Sequence, residues 1–196
     1  ILSNSDITVT DVVNKSEAVT INAYNDQGGT VTLTSVTDLL DNINALSSTD
    51  GIDISIANLT ISNSVSLADA TILNGYTSGE VTLDSVSDTF ENVKSIYNLT
   101  PETDGADGVD LRAATINIVI TDAVSLEKAN ILDGFTSGLV TLNSVVDSYD
   151  NLIAIDAIDS AQVTMADAAV EVSNAVNLTQ VEELRGDTTG NISLTL

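Results

Sequence analysis

The residues in this chain best placed to do chemistry are carboxylates in glycine-containing loops. Thr100 to Asp110 reads TPETDGADGVD, with Asp104, Asp107 and Asp110 three apart. A shorter version, TDGID, holds Asp50 and Asp53. Calcium takes about six to eight oxygens from carboxylates and carbonyls in flexible loops. These five aspartates are therefore candidate calcium ligands, and calcium is the cofactor the sequence suggests. Their spacing is neither that of an EF-hand nor the glycine-rich nonapeptide of a calcium-binding β-roll. Solvated turns favour Asp-Gly for their own reasons. Pairs of acids for glycoside hydrolysis can be drawn almost anywhere among 29 Asp plus Glu, which makes that signal weak.

Composition removes other chemistries. The absence of His leaves no usual general base, no usual transition-metal ligand and no Ser-His-Asp triad. The absence of Cys removes disulfides, thiolate metal sites and thiol nucleophiles. Five Lys plus Arg give too few cations to replace the counterions of a nucleic acid. A net charge of −24 repels anionic membrane surfaces, and also the chain itself unless cations screen or bind it. No apolar run approaches the ~18 residues of a membrane span. The chain starts at Ile1 without Met or a signal peptide, and is expected to be a processed product or a segment of something longer. No residue set points to a reaction, and the expectation is that the protein is not an enzyme.

The elements that would position the carboxylates recur along the chain. Residues 75–92 read GYTSGEVTLDSVSDTFEN and residues 134–151 read GFTSGLVTLNSVVDSYDN. Gly29, Gly79, Gly138 and Gly190 each open a strand-like run: TVTLTSV, EVTLDSV, LVTLNSV and NISLTL. Asp11, Asn63, Asp122 and Asn174 each close one: ITVT, LTIS, IVIT and VEVS. A fixed period is the signature of repeat architectures. The approximate repeats are 1–52, 53–110, 111–159 and 160–196, in a single array over 1–196.

Each unit carries helix punctuation. Ser66, Ser125 and Asn177 are expected N-caps, because their side-chain oxygens accept first-turn N–H groups. Apolar residues three apart follow: Leu67, Ala70, Leu73; Leu126, Ala129, Leu132; Leu178, Val181, Leu184. Gly75, Gly134 and Gly186 fall where a helix wants a left-handed terminal residue. Asp38, Asp88 and Asp147 are expected to cap the second helix of each unit, with Asp41, Glu91 and Asp150 completing an acidic capping box. Phe90 and Tyr149 are expected in the core, with Leu40, Ile43, Leu46, Val93, Ile96, Leu152 and Ile155. Asn42, Asn92 and Asn151 are read as a hydrogen-bonded ladder joining successive coils, since buried amides must be paired. A short strand is expected at Asp53 to Ile56.

A unit this small cannot bury both faces alone, whereas stacked units share a core. The expected fold is an α/β repeat solenoid with parallel strands and short helices; the alternative is an all-β right-handed β-helix. Runs such as ITVTD and VITDAVSL followed by VTLxSVxDxxxN resemble the repeats of long, acidic, Val/Thr/Asp-rich bacterial surface proteins of the giant adhesin-like and surface-layer-like type. The resemblance implies an extracellular or cell-surface location, structural or adhesive work, and often calcium. The leading functional expectation is a non-enzymatic structural repeat protein of a filament, sheath, surface layer or adhesin stalk. Its partner would be itself, head to tail because solenoid ends expose strand edges, or further repeats of the same chain. The alternative is a carbohydrate- or receptor-binding module of a phage fibre or adhesin, with 98–111 as its candidate surface.

Overall fold

The computed structural model describes residues 5–25, 28–98, 108–110, 115–158 and 162–195, with the backbone alone at 98 and 108–110. In chain order the elements are β1 (Ile7–Val9), α1 (Lys15–Tyr24), β2 (Val31–Leu33), β3 (Ser35–Asp38), α2 (Leu40–Ser47), β4 (Ile52–Asp53), β5 (Asn58–Val65), α3 (Leu67–Asn74), β6 (Glu80–Asp88), α4 (Phe90–Asn98), β7 (Gly108–Asp110), β8 (Asn117–Val124), α5 (Leu126–Asp133), β9 (Val140–Asp147), α6 (Tyr149–Asp156), β10 (Val163–Thr164), β11 (Ala169–Val172), α7 (Leu178–Asp187) and β12 (Ile192–Leu194). The protein is α/β, and the strand pairs described below are all parallel. The helices set aside the all-β alternative: the short Ser- and Asn-capped segments are helical turns that continue for eight to ten residues.

The chain divides into two compact units, Ile1–Asp84 with Ile96–Asp110, and Ser85–Ser95 with Leu111–Leu196. In the first unit β1, β2 and β4 form a sheet in that order, β3 pairs with β5, and β7 pairs with the start of β6. In the second, the end of β6 pairs with β8, and β8, β9, β11 and β12 follow in order with β10 also on β9. A register shift between Ile120 and Ala123 in β8 sets Asp122 in an irregularity of the strand.

Alternation decides which residues face inward. Leu59, Ile61 and Val65 of β5 are buried, as are Ile118, Ile120 and Val124 of β8. The helices close the core with Ile43 and Leu46, Ala70 and Leu73, Val93 and Ile96, Ala129 and Leu132, and Leu152 and Ile155, all at 1% exposure or less. Burying each large aliphatic side chain contributes about 1.5–3 kcal/mol. The first positions of three expected helix faces lie nearer solvent. Leu67 and Leu126 are half-buried, and Leu178 is 73% exposed.

Gly29, Gly79, Gly138 and Gly190 have one cause. A Cβ on any of them would lie closer than 3.0 Å to the carbonyl oxygen of Ser5, Ala57, Ile116 or Ala168 respectively. Only glycine lets the two backbones approach this closely.

Several expectations need correction. Gly75 and Gly134 cap their helices with φ of −79° and −78°, in the right-handed region, and Gly186 lies within α7. The helix ends close with N–H bonds to carbonyls three residues back, such as Gly75 to Ile72 and Gly134 to Ile131, so no left-handed residue is required. Positive φ occurs at Gly28 and Gly51 among the described residues. The strand expected at Asp53 to Ile56 ends at Asp53, and Ile56 is 54% exposed. Phe90 is buried, but Tyr149 is only half-buried and its hydroxyl donates to Glu183. A phenol can direct its polar end outward to a partner, which Phe cannot.

Candidate functional site

The candidate calcium ligands are not brought together among the described residues. Asp50 is exposed, and its backbone carbonyl accepts from the Asn22 side chain at 2.9 Å. Asp53 turns its carboxylate back on its own chain, accepting from the Ser55 N–H at 2.9 Å. That bond, with the Ser55 side chain, holds the Asp53 carboxyl below its usual value against a smaller opposing effect of burial. The Asp110 backbone pairs with Thr82 in the β6–β7 ladder. Asp104 and Asp107 lie outside the described residues. No group of three or more acidic, His or Cys side chains suited to a metal forms among the described residues.

A second set of polar residues forms a definite pattern. Helices leave their first N–H groups without partners in the helix, and in five of the helices the first of these is met by a side chain 21 to 32 residues further on, from a strand or, for Asn174, from just beyond one. The Lys15 N–H of α1 donates to Asp38 Oδ2 at 2.8 Å. The Leu40 N–H of α2 donates to Asn63 Oδ1 at 2.8 Å. The Phe90 N–H of α4 donates to Asp122 Oδ1 at 2.7 Å. The Leu126 N–H of α5 donates to Asp147 Oδ2 at 3.0 Å. The Tyr149 N–H of α6 donates to Asn174 Oδ1 at 2.8 Å.

This corrects the sequence reading of Asp38 and Asp147. Each precedes the N-cap of its own following helix, which is Leu39 for α2 and Ser148 for α6, neither making a side-chain cap. Each carboxylate serves two helices. Asp147 Oδ1 accepts from Ser148 N–H at 2.8 Å and from Asn151 Nδ2 at 2.7 Å, while Oδ2 reaches Leu126. Asp38 repeats this with Leu39, Asn42 and Lys15. Asp88 accepts likewise from Thr89 N–H and Asn92 Nδ2 at 2.8 Å each. Asn42, Asn92 and Asn151 thus do not bridge coils themselves. They fix the Asp four residues before them, and for Asp38 and Asp147 the second oxygen makes the bridge.

Burial works to raise the Asp38 and Asp147 carboxyls. For Asp147 it is outweighed by the bonds from Leu126, Asn151 and Ser148; for Asp38, by the bonds from Asn42, Lys15 and Leu39 and the Lys15 charge. Both titrate below the usual carboxylate range. Groups held ionised by accepted bonds are poor proton donors, which suits capping rather than general acid catalysis.

The expected N-caps Ser66 and Asn177 hold, each with a reciprocal box to Asp69 or Gln180. Ser125 is also an N-cap, without a side-chain cap bond. Asn14 with Glu17 forms the same box, a feature the sequence signals as Asn-x-x-Glu before an apolar face. A further latch recurs at the glycines. Thr77, Thr136 and Thr188 donate to the carbonyls of Ala57, Ile116 and Ala168 at 2.6, 2.8 and 2.7 Å. The same hydroxyls accept from the N–H groups of Gly79, Gly138 and Gly190 at 2.8, 2.8 and 2.9 Å.

One acidic group departs from the pattern. Asp187, at the C-terminal end of α7, is pushed up by burial and by the neighbouring charges of Asp156 and Glu183. The Tyr149 phenol is pushed up to about 12, chiefly by its bond to Glu183. No helix among the described residues is long and apolar enough to cross a membrane. No family model, no curated protein and no solved structure matches this chain.

Proposed function

We propose that the chain is a non-enzymatic structural module, an α/β repeat solenoid working outside the cell in a surface filament, sheath, surface layer or adhesin stalk. One observation carries this reading: five Asp and Asn residues that the sequence singles out each join the N-terminus of a helix to a segment further along the chain. Five helix N-termini are closed this way, across 21 to 32 residues of chain. Capping bonds between non-neighbouring segments resist their separation, which is what a load-bearing module needs. Parallel pairing of successive strands and the glycine close approaches support a stacked arrangement.

The partners proposed are further copies of the chain, head to tail, or further repeats of a longer chain. The net charge of −24 makes such stacking depend on screening or on bound cations, and calcium is proposed in that role. Sedimentation velocity and electron microscopy of the purified protein, with chelator, with sodium and with calcium at matched ionic strength, test both proposals. Linear assemblies that lengthen with calcium are expected. A strict monomer in all three conditions removes self-assembly, and identical behaviour in sodium and calcium removes a specific calcium role.

A further inference from the structure

Two of the five cations in this chain stand over one aromatic ring. The Lys128 ammonium of α5 lies 4.9 Å from the centre of the Phe90 ring, and the Lys94 ammonium of α4 lies 5.9 Å from it. The negative face of an aromatic ring attracts cations. Neither lysine makes an ion pair with a described residue.

Neither lysine belongs to the punctuation of the repeat. Three residues after the N-caps Asn14, Ser66 and Asn177 stand Glu17, Asp69 and Gln180, each closing a capping box. Three residues after Ser125 stands Lys128, and Ser125 makes no side-chain cap bond. A cation in the first turn also opposes the helix dipole. Lys94 stands where α2 carries Asn44 and α6 carries Ile153. Helix stability therefore does not explain why two like charges converge here.

The next helix pair carries the opposite charge. Tyr149 of α6 matches Phe90, and its hydroxyl donates to Glu183 of α7. Asp150, Asp156 and Asp187 lie on the same two helices, whose one basic residue is Arg185. The charged groups that act on Asp187 and on the Tyr149 phenol are all acidic. One Asp187 carboxylate oxygen is buried without a hydrogen-bond partner.

We propose that Lys94 and Lys128, over Phe90, are a docking point for a second copy of this chain, which presents Asp156, Glu183 and Asp187 from its α6 and α7. The partner follows from charge: the lysines lack a carboxylate within their own chain, and an identical chain carries an acidic group of matching position on its helices. Complementary charge sets the register and the rate of such an encounter. The remaining surface repels a second copy, but salt at physiological strength screens charges beyond about 8 Å while direct contacts persist. This contact runs through helices and is separate from the head-to-tail contact proposed above.

Two charge-reversed proteins test it: Lys94→Glu with Lys128→Glu, and Asp156→Lys with Glu183→Lys. Sedimentation velocity of the whole chain, at physiological ionic strength with chelator, compares the parent, each variant alone and the two variants mixed. The parent should associate, and each variant alone should associate about tenfold more weakly or less. The mixture should recover, because opposite charges face each other again, and misfolding cannot produce that rescue. A parent that stays monomeric, or a mixture no stronger than its components, overturns the proposal. Linear assembly of the parent that both variants retain unchanged also overturns it, while leaving the head-to-tail reading in place.

Discussion

Replacing Asp147 and Asp122 by Asn separates a carboxylate that needs both oxygens from one that needs a single oxygen. Asp147 accepts three bonds, from Leu126 N–H, Ser148 N–H and Asn151 Nδ2, at 3.0, 2.8 and 2.7 Å and on both oxygens. In Asp147→Asn one oxygen becomes an NH2 group that faces a donor, whichever way round the amide sits. Loss of one helix cap costs about 1 kcal/mol. Setting a donor against a half-buried donor adds about 1 kcal/mol more. The sum, about 2 kcal/mol, lowers Tm by roughly 4–8 °C in a chain of this size. Asp122 gives one oxygen to Phe90 N–H, and Asn63 and Asn174 do the same work for Leu40 and Tyr149 with an amide oxygen. Asp122→Asn should therefore change stability by no more than about 0.5 kcal/mol. Urea unfolding of the two variants beside the parent, followed by circular dichroism, measures both. Equal costs for the two variants, or no cost for Asp147→Asn, would refute the two-oxygen account.

Other outcomes follow from the same structure. Gly138→Ala should lose about 3 kcal/mol or more, because its Cβ would collide with the Ile116 carbonyl. Gly186→Ala, with nothing within 4 Å of the new methyl inside α7, should gain about 0.5–1 kcal/mol; thermal melts of the pair check both signs. Asp38 and Asp147, held below the usual carboxylate value, add stability above the unfolded-state pKa that is lost as pH falls through their lower folded values. Asp187 has the opposite sign: its raised value is a penalty at neutral pH that disappears on protonation. Asp187→Asn should therefore stabilise at neutral pH and give no advantage in acid, which denaturation at a series of pH values would show. Tyr149→Phe should abolish the high phenol titration near pH 12 seen by ultraviolet absorbance, without unfolding the chain.

Much of this architecture is legible in the sequence because helix and strand signals are local. Ser66 and Asn177 announce their helices through side chains that bond three residues on, and alternation in NLTISNSV and NIVITDAV marks strands with one buried face. What escaped is non-local. Asp147 stands before a helix and reads as its cap, but its second oxygen closes a helix 21 residues earlier, which no window on the sequence displays. The amides at 42, 92 and 151 recur with the period of the repeat, and period alone does not say whether a bond runs along the chain or across it. Gly75 and Gly134 read as left-handed caps because most glycines after helices are; here the carbonyls of Ile72 and Ile131 are reached from right-handed backbone. Gly79 and Gly138 carried the opposite surprise, since their need for a missing side chain is visible only when the neighbouring carbonyl is in place.

The most direct measurement is native-state hydrogen exchange, read residue by residue by NMR, at the first N–H of each helix. First-turn amides usually exchange fast, because the helix supplies them no acceptor. If the recurrent Asp and Asn residues serve to join helices to later segments of the chain, the N–H groups of Lys15, Leu40, Phe90, Leu126 and Tyr149 will be protected well above that of Leu178, for which no such bond is formed among the described residues. Protection at those five no greater than at Leu178 would contradict the account and return these side chains to the pool of groups free for another task.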